Sequence, residues 1–186
     1  MRLPVYKLKL IRSGWMSFPH IDMNHPQLAA FFFHRLIGQG AVEHSAAIFL
    51  DPVGQVTGST IISVGDLASV PMIAREVFKA AILANASSVI VSHNHPAPSS
   101  SKPSPQDIRA TKRLIRAGSI LGIDVLDHIV VGPNGKDFTS MREAGLLGLW
   151  WPDISEPARP SAPVVPESTA PNPLNFSRSC PAISTK

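Results

Sequence analysis

Hydrophobic and polar residues follow two different spacings along residues 1–150, and the order of these spacings predicts an α/β protein. Short segments with alternating or continuously apolar residues are typical of strands; they are residues 5–11, 44–51, 56–65, 87–93 and 124–132. Longer segments with the spacing of an amphipathic helix are residues 26–38, 71–86 and 104–116. We expect VYKLKLI to form an edge strand and SSVIVSH to form a buried one.

Proline and glycine mark the expected ends of the helices. Pro71 is placed at the start of the second helix, and Pro105 at the first position of the third, where the missing amide hydrogen is not needed. Ser104 precedes it as the expected N-cap. Gly38 is expected to end the first helix and Gly118 the third.

The composition changes near residue 151 and divides the chain. Residues 151–186 contain eight prolines among Ser, Ala and Thr, with three acidic and three basic residues. Such a segment cannot bury enough apolar surface to offset the entropy lost on ordering, so we predict a disordered tail. We therefore expect an N-terminal extension (1–25), one α/β domain (26–150) and this tail.

Net charge and cysteine content exclude some classes of partner, metal site and cellular location. The chain has 17 Lys and Arg against 13 Asp and Glu, a net charge of +4, but only 16% of its residues are charged. This balance allows a nucleic-acid partner without implying one. The single cysteine, Cys180, excludes an internal disulfide and any zinc site built from several thiolates. With no signal peptide or membrane span in the pattern, we expect a cytoplasmic protein without a membrane partner.

The segment VSHNHPAPSSSKPSPQD, residues 91–107, indicates metal chemistry. In a strand, residues two apart point the same way, so both imidazoles of His93 and His95 can reach one ion. Asp107 is expected at the third position of the following helix, near the ends of the strands. Two histidines and one carboxylate leave a fourth position for water, the pattern of catalytic zinc, which can lower the pKa of bound water to about 7.

A purely structural interpretation of the same residues stays open at this point. Asp107 is also placed to complete a capping box with Ser104, which SxxD sequences commonly form. Each histidine alone fits a hydrogen-bonded polar residue better than a ligand. His128 lies within a predicted strand, where a core histidine or a partner of a ligand fits better than a fourth ligand.

The motifs SHNHP, SPQD, ATKRLI and LDHIVVG together resemble the RadC-like branch of the JAB/MPN domains, which carry the JAMM metalloprotease motif. That motif is an upstream glutamate, then H-x-H, seven residues, Ser, two residues and Asp. The resemblance runs from about Val42 to Leu147. It implies a three-layer α-β-α sandwich with a mixed sheet, related to the cytidine-deaminase fold.

The resemblance also implies roles for matching residues. His93, His95 and Asp107 correspond to the zinc ligands, and Glu43 to the glutamate that takes a proton from water and passes it to the leaving amine. Ser104 corresponds to the serine that steadies the oxyanion. The implied function is Zn²⁺-dependent hydrolysis of an amide bond, with a peptide or protein substrate. Without the resemblance, we would predict that Glu43 is an exposed carboxylate at the end of a strand.

Two departures from the family pattern bear on these roles. Eight residues, PAPSSSKP, separate His95 from Ser104, where the motif has seven; the extra residue lies in a Ser/Pro loop, where insertions are usually tolerated. Full-length RadC-like proteins also carry an N-terminal helix-hairpin-helix region. We expect that region to be absent from the roughly 40 residues before Glu43, which weakens the case for direct DNA binding.

The alternative function is a non-catalytic, DNA-associated accessory or binding module, which the DNA-repair label of the RadC-like family suggests. Its basis is a row of basic residues along one side of the third helix: Arg109, Lys112, Arg113 and Arg116. These residues fit contacts with phosphates, but a solvated helix face is the commoner reason for such a row. The sequence does not predict an oligomeric state.

Overall fold

The computed structural model describes residues 3–7, 9–17, 23, 25–66, 71–96, 98 and 100–146. Its strands are β1 (His44–Leu50), β2 (Val56–Val64), β3 (Ser88–Asn94), β4 (Asp124–Val131) and β5 (Phe138–Ser140). Its helices are α1 (Pro26–Ile37), α2 (Ala74–Leu83) and α3 (Pro105–Leu121).

The strands form one mixed sheet in the order β2-β1-β3-β4-β5. Strand β1 pairs antiparallel with β2 and with β3, and β4 pairs antiparallel with β5. The central pair, β3 and β4, is parallel. A parallel pair needs a crossover connection, which α3 supplies here.

Alternating side chains of the central strands fill two separate cores. Ala47, Phe49, Val89 and Val91 pack on one face with α2 and α3. On the other face, α1 packs against a second set, which includes Ala46, Ile48, Leu50, Ile90 and Ile129. Helices therefore cover both faces of the sheet, and the predicted three-layer α-β-α sandwich is confirmed.

The ends of α1 and the start of α3 agree with the sequence prediction. Helix α1 begins at Pro26 and is capped by Gly38. Helix α3 begins at Pro105 behind Ser104, which forms a full capping box with Asp107. The predicted cap is therefore present, and it fixes the first turn of α3 at the end of the sheet.

Gly118 does not end α3, so this prediction is wrong. The helix continues to Leu121 and ends at Gly122, which has a left-handed φ of 70°. Gly118 is a close-packing position instead, because a Cβ there would lie 2.3 Å from the main-chain oxygen of Ile123. The glycine is needed for its missing side chain and not for its backbone freedom.

Two other predicted elements differ from the structure. Helix α2 begins at Ala74 rather than Pro71, because Ile73 is still extended and Met72 packs against the core before the first turn forms. No strand occurs among residues 3–7 and 9–17, although VYKLKLI was predicted as an edge strand. Val5 and Tyr6 are exposed, so alternation in this segment does not correspond to a buried face.

The predicted disordered tail, residues 151–186, lies outside the described residues. Residues 147–150 do too, so the predicted domain boundary at 150 stays a prediction. Among the helices of the described ranges, none combines the length and the apolar character needed to cross a lipid bilayer.

Candidate metal centre

The two histidines of the SHNHP motif come from the end of the central strand. Every residue of β3 is buried, and β3 is held on both sides by β1 and β4. The extended chain continues past the strand, because the amide of His95 donates a hydrogen bond to the main-chain oxygen of Val131 at 2.9 Å. His93 and His95 therefore face the same way, with their Nε2 atoms 3.1 Å apart.

Asp107 uses its two carboxylate oxygens for different partners. Oδ2 accepts a hydrogen bond from the amide of Ser104 at 2.7 Å, while the amide of Asp107 donates to Ser104 Oγ at 3.2 Å. Oδ1 lies 3.5 Å from His93 Nε2. The capping and metal interpretations of Asp107 are thus compatible, because the cap occupies only one oxygen.

His93, His95 and Asp107 together form a group that could hold a metal ion, with one ligand atom from each residue within 4.8 Å of the others. The protonation of His95 suits this use. Its Nδ1 donates to the main-chain oxygen of Ser100 at 2.6 Å, and a carbonyl oxygen only accepts. Nε2 of a neutral His95 therefore presents a lone pair to the group, as a metal ligand must.

The electrostatics of Asp107 favour its charged form. Burial alone would raise its pKa, but hydrogen bonding with His93, the charge of His93 and the hydrogen bonds from Ser104 lower the pKa below its ordinary value. The carboxylate is therefore ionised at neutral pH, and a cation would find a negative ligand beside two imidazoles.

Glu43 lies beside this group and is buried, so its interpretation as an exposed strand-end carboxylate is wrong. It precedes β1, where its amide donates to Asp66 O at 2.9 Å and its carbonyl accepts from the amide of Gly65 at 2.8 Å. Its side chain lines a cavity of about 880 Å³ together with His93, His95 and Asp107. Burial raises the pKa of Glu43, against the opposing effect of the two histidines.

Asn94, the middle residue of His-Asn-His, holds the Glu43 segment to β3. Its Oδ1 accepts a hydrogen bond from the amide of His44 at 2.6 Å, and its Nδ2 donates to Val42 O at 3.2 Å. These bonds bracket Glu43 on both sides along the chain. Sequence reasoning missed Asn94, although its place between two same-facing histidines puts its side chain on the opposite side of the strand.

The long loop between His95 and Ser104 is tied to the segment before β5. Ser101 donates to Asp137 twice, from its amide at 3.0 Å and from its hydroxyl at 2.6 Å. Ser101 is buried. With a loop of this length, Asp107 lies beside the histidines, its Oδ1 3.5 Å from His93 Nε2.

The remaining histidines and the basic row lie around the group without joining it. His44 Nδ1 lies 2.8 Å from the main-chain oxygen of Val42. His128 is buried and contacts His93 Nδ1 through Nε2 at 2.8 Å; burial lowers its pKa. Arg109, Arg113 and Arg116 are exposed along α3, whereas Lys112 is half-buried. Arg113 also lines the cavity.

Comparison with known proteins identifies the family. A protein from Desulforamulus reducens named UPF0758 is 49% identical over 105 residues, which cover 56% of this chain and 45% of the relative. A UPF0758 protein from Symbiobacterium thermophilum is 37% identical over 137 residues, 74% of this chain and 57% of the relative. The chain thus spans about half the length of these curated relatives.

The sequence profile of the RadC-like JAB domain matches residues 23–146, which include all three helices, all five strands and the four acidic and histidine residues of the site. This match covers more than half of the chain and agrees with the three-layer fold around the candidate metal group. The chain belongs to the RadC-like JAB domain family.

Proposed function

We propose that this domain is a zinc-dependent hydrolase of amide bonds, acting on a peptide or isopeptide bond. The observation that carries the proposal is the convergence of His93, His95 and Asp107 into one potential ligand group with the buried Glu43 beside it in the same cavity. Two imidazoles and one carboxylate are a common ligand set of catalytic zinc, and they leave a coordination position for substrate or water.

When bound, zinc supplies Lewis-acid chemistry, which polarises a substrate carbonyl and makes a water molecule more acidic. Glu43 is suited to the proton transfers. A general base works best when its pKa lies close to the working pH, and burial moves the pKa of Glu43 in that direction. Its carboxylate would accept a proton from the attacking water and return it to the leaving amine.

Ser104 is suited to stabilise negative charge on the substrate oxygen. Its Oγ accepts the amide hydrogen of Asp107, which holds the hydroxyl at the first turn of α3. Ser104 lines the cavity with the candidate ligands. A hydroxyl fixed at a helix N-terminus can donate to a developing oxyanion, an interaction whose loss typically costs about 10²- to 10³-fold in rate.

Metal analysis and a substrate screen test this function together. Purified wild-type protein is expected to contain one zinc per chain, and a His93→Ala/His95→Ala variant to contain none. His25→Ala, which removes an exposed histidine remote in sequence from the group, is the matched control and should keep the metal. Zinc content unaffected by the double substitution would contradict the site.

Glu43→Gln separates catalysis from metal binding. It should bind zinc like the wild type and lose hydrolysis of a peptide and isopeptide library by about 10²-fold or more, because the general base is removed. Glu143→Gln, an exposed acidic residue, is the control. Retention of full activity by Glu43→Gln would contradict the proposed mechanism.

A second candidate function is contact with nucleic acid through α3, which the exposure of Arg109, Arg113 and Arg116 on one helix favours. Binding of this kind would weaken steeply as salt rises, by a slope set by the number of phosphates contacted. Fluorescence anisotropy with duplex and single-stranded DNA at two salt concentrations tests it. Charge reversal at Arg109 and Arg116 should then abolish the binding. An affinity that is the same at both salt concentrations would exclude this function.

A further inference from the structure

A series of hydrogen bonds leads from the candidate metal group through β4 and α3 and returns to one of the ligands. His93 Nδ1 lies 2.8 Å from His128 Nε2, and His128 Nδ1 lies 2.5 Å from Thr111 Oγ1. Thr111 Oγ1 lies 2.7 Å from the main-chain oxygen of Asp107. The series therefore connects His93 to the residue whose carboxylate faces His93 Nε2.

The end point of the series fixes the direction of its hydrogen bonds. A carbonyl oxygen only accepts, so the hydroxyl hydrogen of Thr111 goes to Asp107 O, and Thr111 Oγ1 accepts from His128 Nδ1. A neutral His128 then has a bare Nε2, which accepts from His93 Nδ1. His93 is left with an unprotonated Nε2, which is the atom that faces His95 and Asp107.

The opposite direction is incompatible with a metal at this place. It would put a hydrogen on His93 Nε2, where a metal ligand needs its lone pair. It would also take the Thr111 hydroxyl hydrogen away from Asp107 O. Both nitrogens of His128 are occupied in either direction, so His128 acts on His93 and does not itself join the ligands.

We propose that His128 and Thr111 are positioning residues of the metal centre, which hold His93 in the tautomer that presents Nε2 to a divalent cation. The inference rests on the proposed zinc site and adds two residues to it. Both residues are almost completely buried. Because Thr111 lies one turn after Asp107 in α3, the same contacts also fix the helix turn that carries Asp107 against β4.

Zinc affinity measured by competition with a chelator tests the role of Thr111. Thr111→Val keeps the shape but removes the acceptor for His128, and we expect zinc affinity to fall by about 10- to 100-fold, as for other partners of metal-bound histidines. Thr111→Ser should restore it. Ser92→Ala is the matched control, because Ser92 is a buried hydroxyl next to His93 with no hydrogen-bond partner among the described residues.

The tautomer itself is measurable by nitrogen-15 NMR of the histidine rings, without any substitution. In wild-type protein, loaded or metal-free, His128 is expected to carry its hydrogen on Nδ1, and in metal-free Thr111→Val, where neither zinc nor Thr111 sets the tautomer, this preference should be lost. A hydrogen on His128 Nε2 in the loaded wild type would overturn the inference. So would a Thr111→Val protein that folds and binds zinc like the wild type.

The two proposals fail in distinguishable ways. Wild-type protein that binds no zinc would overturn the proposed function and this inference together. Wild-type protein that binds zinc, with an affinity insensitive to Thr111→Val, would overturn the inference alone and leave the ligand set intact.

Discussion

Asp107 shows at the scale of one residue how a fold uses both oxygens of a carboxylate. One oxygen completes the cap of α3 and the other faces His93. The sequence suggested both uses as alternatives, because the SxxD spacing is compatible with each. Only the direction of the side chain, which depends on the docking of α3 against β4, shows that the two uses are compatible.

Asp107→Asn should separate the two uses. The amide oxygen can still accept from Ser104, so the unfolding free energy of the metal-free protein should change by less than about 1 kcal/mol. Zinc affinity should fall by more than about 100-fold, because loss of a charged ligand exceeds the effect of losing an outer partner. Urea unfolding and chelator competition measure the two effects. Asp124→Asn, at an exposed position of β4, is the control. An equal loss of zinc affinity in Asp107→Asn and Asp124→Asn would contradict the assignment of Asp107 as a ligand.

Asp127, which is not one of the candidate ligands, predicts a pH dependence of the stability of the metal-free protein. Burial raises its pKa to about 6, against hydrogen bonds from Ser140, Arg142 and His128 that lower it. The folded protein therefore holds this proton more tightly than the unfolded chain, whose Asp has a pKa near 3.8. Stability from this residue is present below pH 3.8 and is lost as pH rises to about 6.

Between pH 3.8 and about 6, the free energy of unfolding is expected to fall by an amount of order 3 kcal/mol because of Asp127. Asp127→Asn should remove this component of the pH profile, since the amide can accept from the same amides without ionising. Denaturant unfolding of metal-free protein between pH 4 and pH 7 measures it. A variant profile parallel to that of the wild type would contradict the raised pKa of Asp127.

The sequence could predict the residues of the candidate metal group but not the residues that orient them. Strand spacing puts His93 and His95 on one side of the chain, the SxxD spacing puts Asp107 in the first turn of a helix, and the family resemblance groups the three. Their supporting residues, such as Asn94, Thr111 and Asp137, act through hydrogen bonds between distant segments. No spacing along the chain encodes such pairs, so they required the tertiary structure.

At the scale of elements, α3 brings Asp107 and Thr111 to the histidines of β3 and β4. It begins at the cap that carries Asp107, packs closely at Gly118 against the chain entering β4, and ends at Gly122. Its start was predictable from Ser104 and Pro105. Its end was not, because a glycine needed for packing and a glycine needed for a left-handed turn look the same in sequence.

Gly118→Ala should test the packing role. Alanine favours helix by about 1 kcal/mol over glycine, but its Cβ would meet Ile123 O, and overpacking of this kind costs about 1–3 kcal/mol or more. We therefore expect net destabilisation in thermal and denaturant unfolding. Ser119→Ala, at the next and exposed position of α3, should be neutral or stabilising, and a stabilised Gly118→Ala protein would contradict the close contact.

At the scale of the whole molecule, the fold follows from central strands that have apolar side chains on both faces of the sheet. Apolar runs in β1 and β3 predict strands covered on both sides, and α1 and the pair α2 and α3 supply the covers. The short strand β5 escaped prediction because three residues contain no readable period. VYKLKLI has the alternation of a strand, but its described residues do not pack against the core.

Zinc is expected to stabilise the whole domain, because its proposed ligands come from β3, the following segment and α3. At a free concentration about 100-fold above the dissociation constant, binding to the folded state adds about 2.7 kcal/mol, which should raise the melting temperature by several degrees, roughly 2–8 °C per kcal/mol. Differential scanning fluorimetry with zinc and with a chelator measures this effect. The His93→Ala/His95→Ala protein should show no shift, and an equal shift would place the bound zinc elsewhere.

The bond pair between Ser101 and Asp137 divides the loop before α3 into two parts with different tolerance for length. We expect residues added between His95 and Ser100 to leave Asp107 in place, because hydrogen bonds hold both His95 and Ser101. Residues added at 102–103 would instead push the cap and its carboxylate away from the imidazoles. A segment grafted into these eight residues is therefore expected to preserve the metal group when it precedes Ser101 and to disturb it when it follows Ser101.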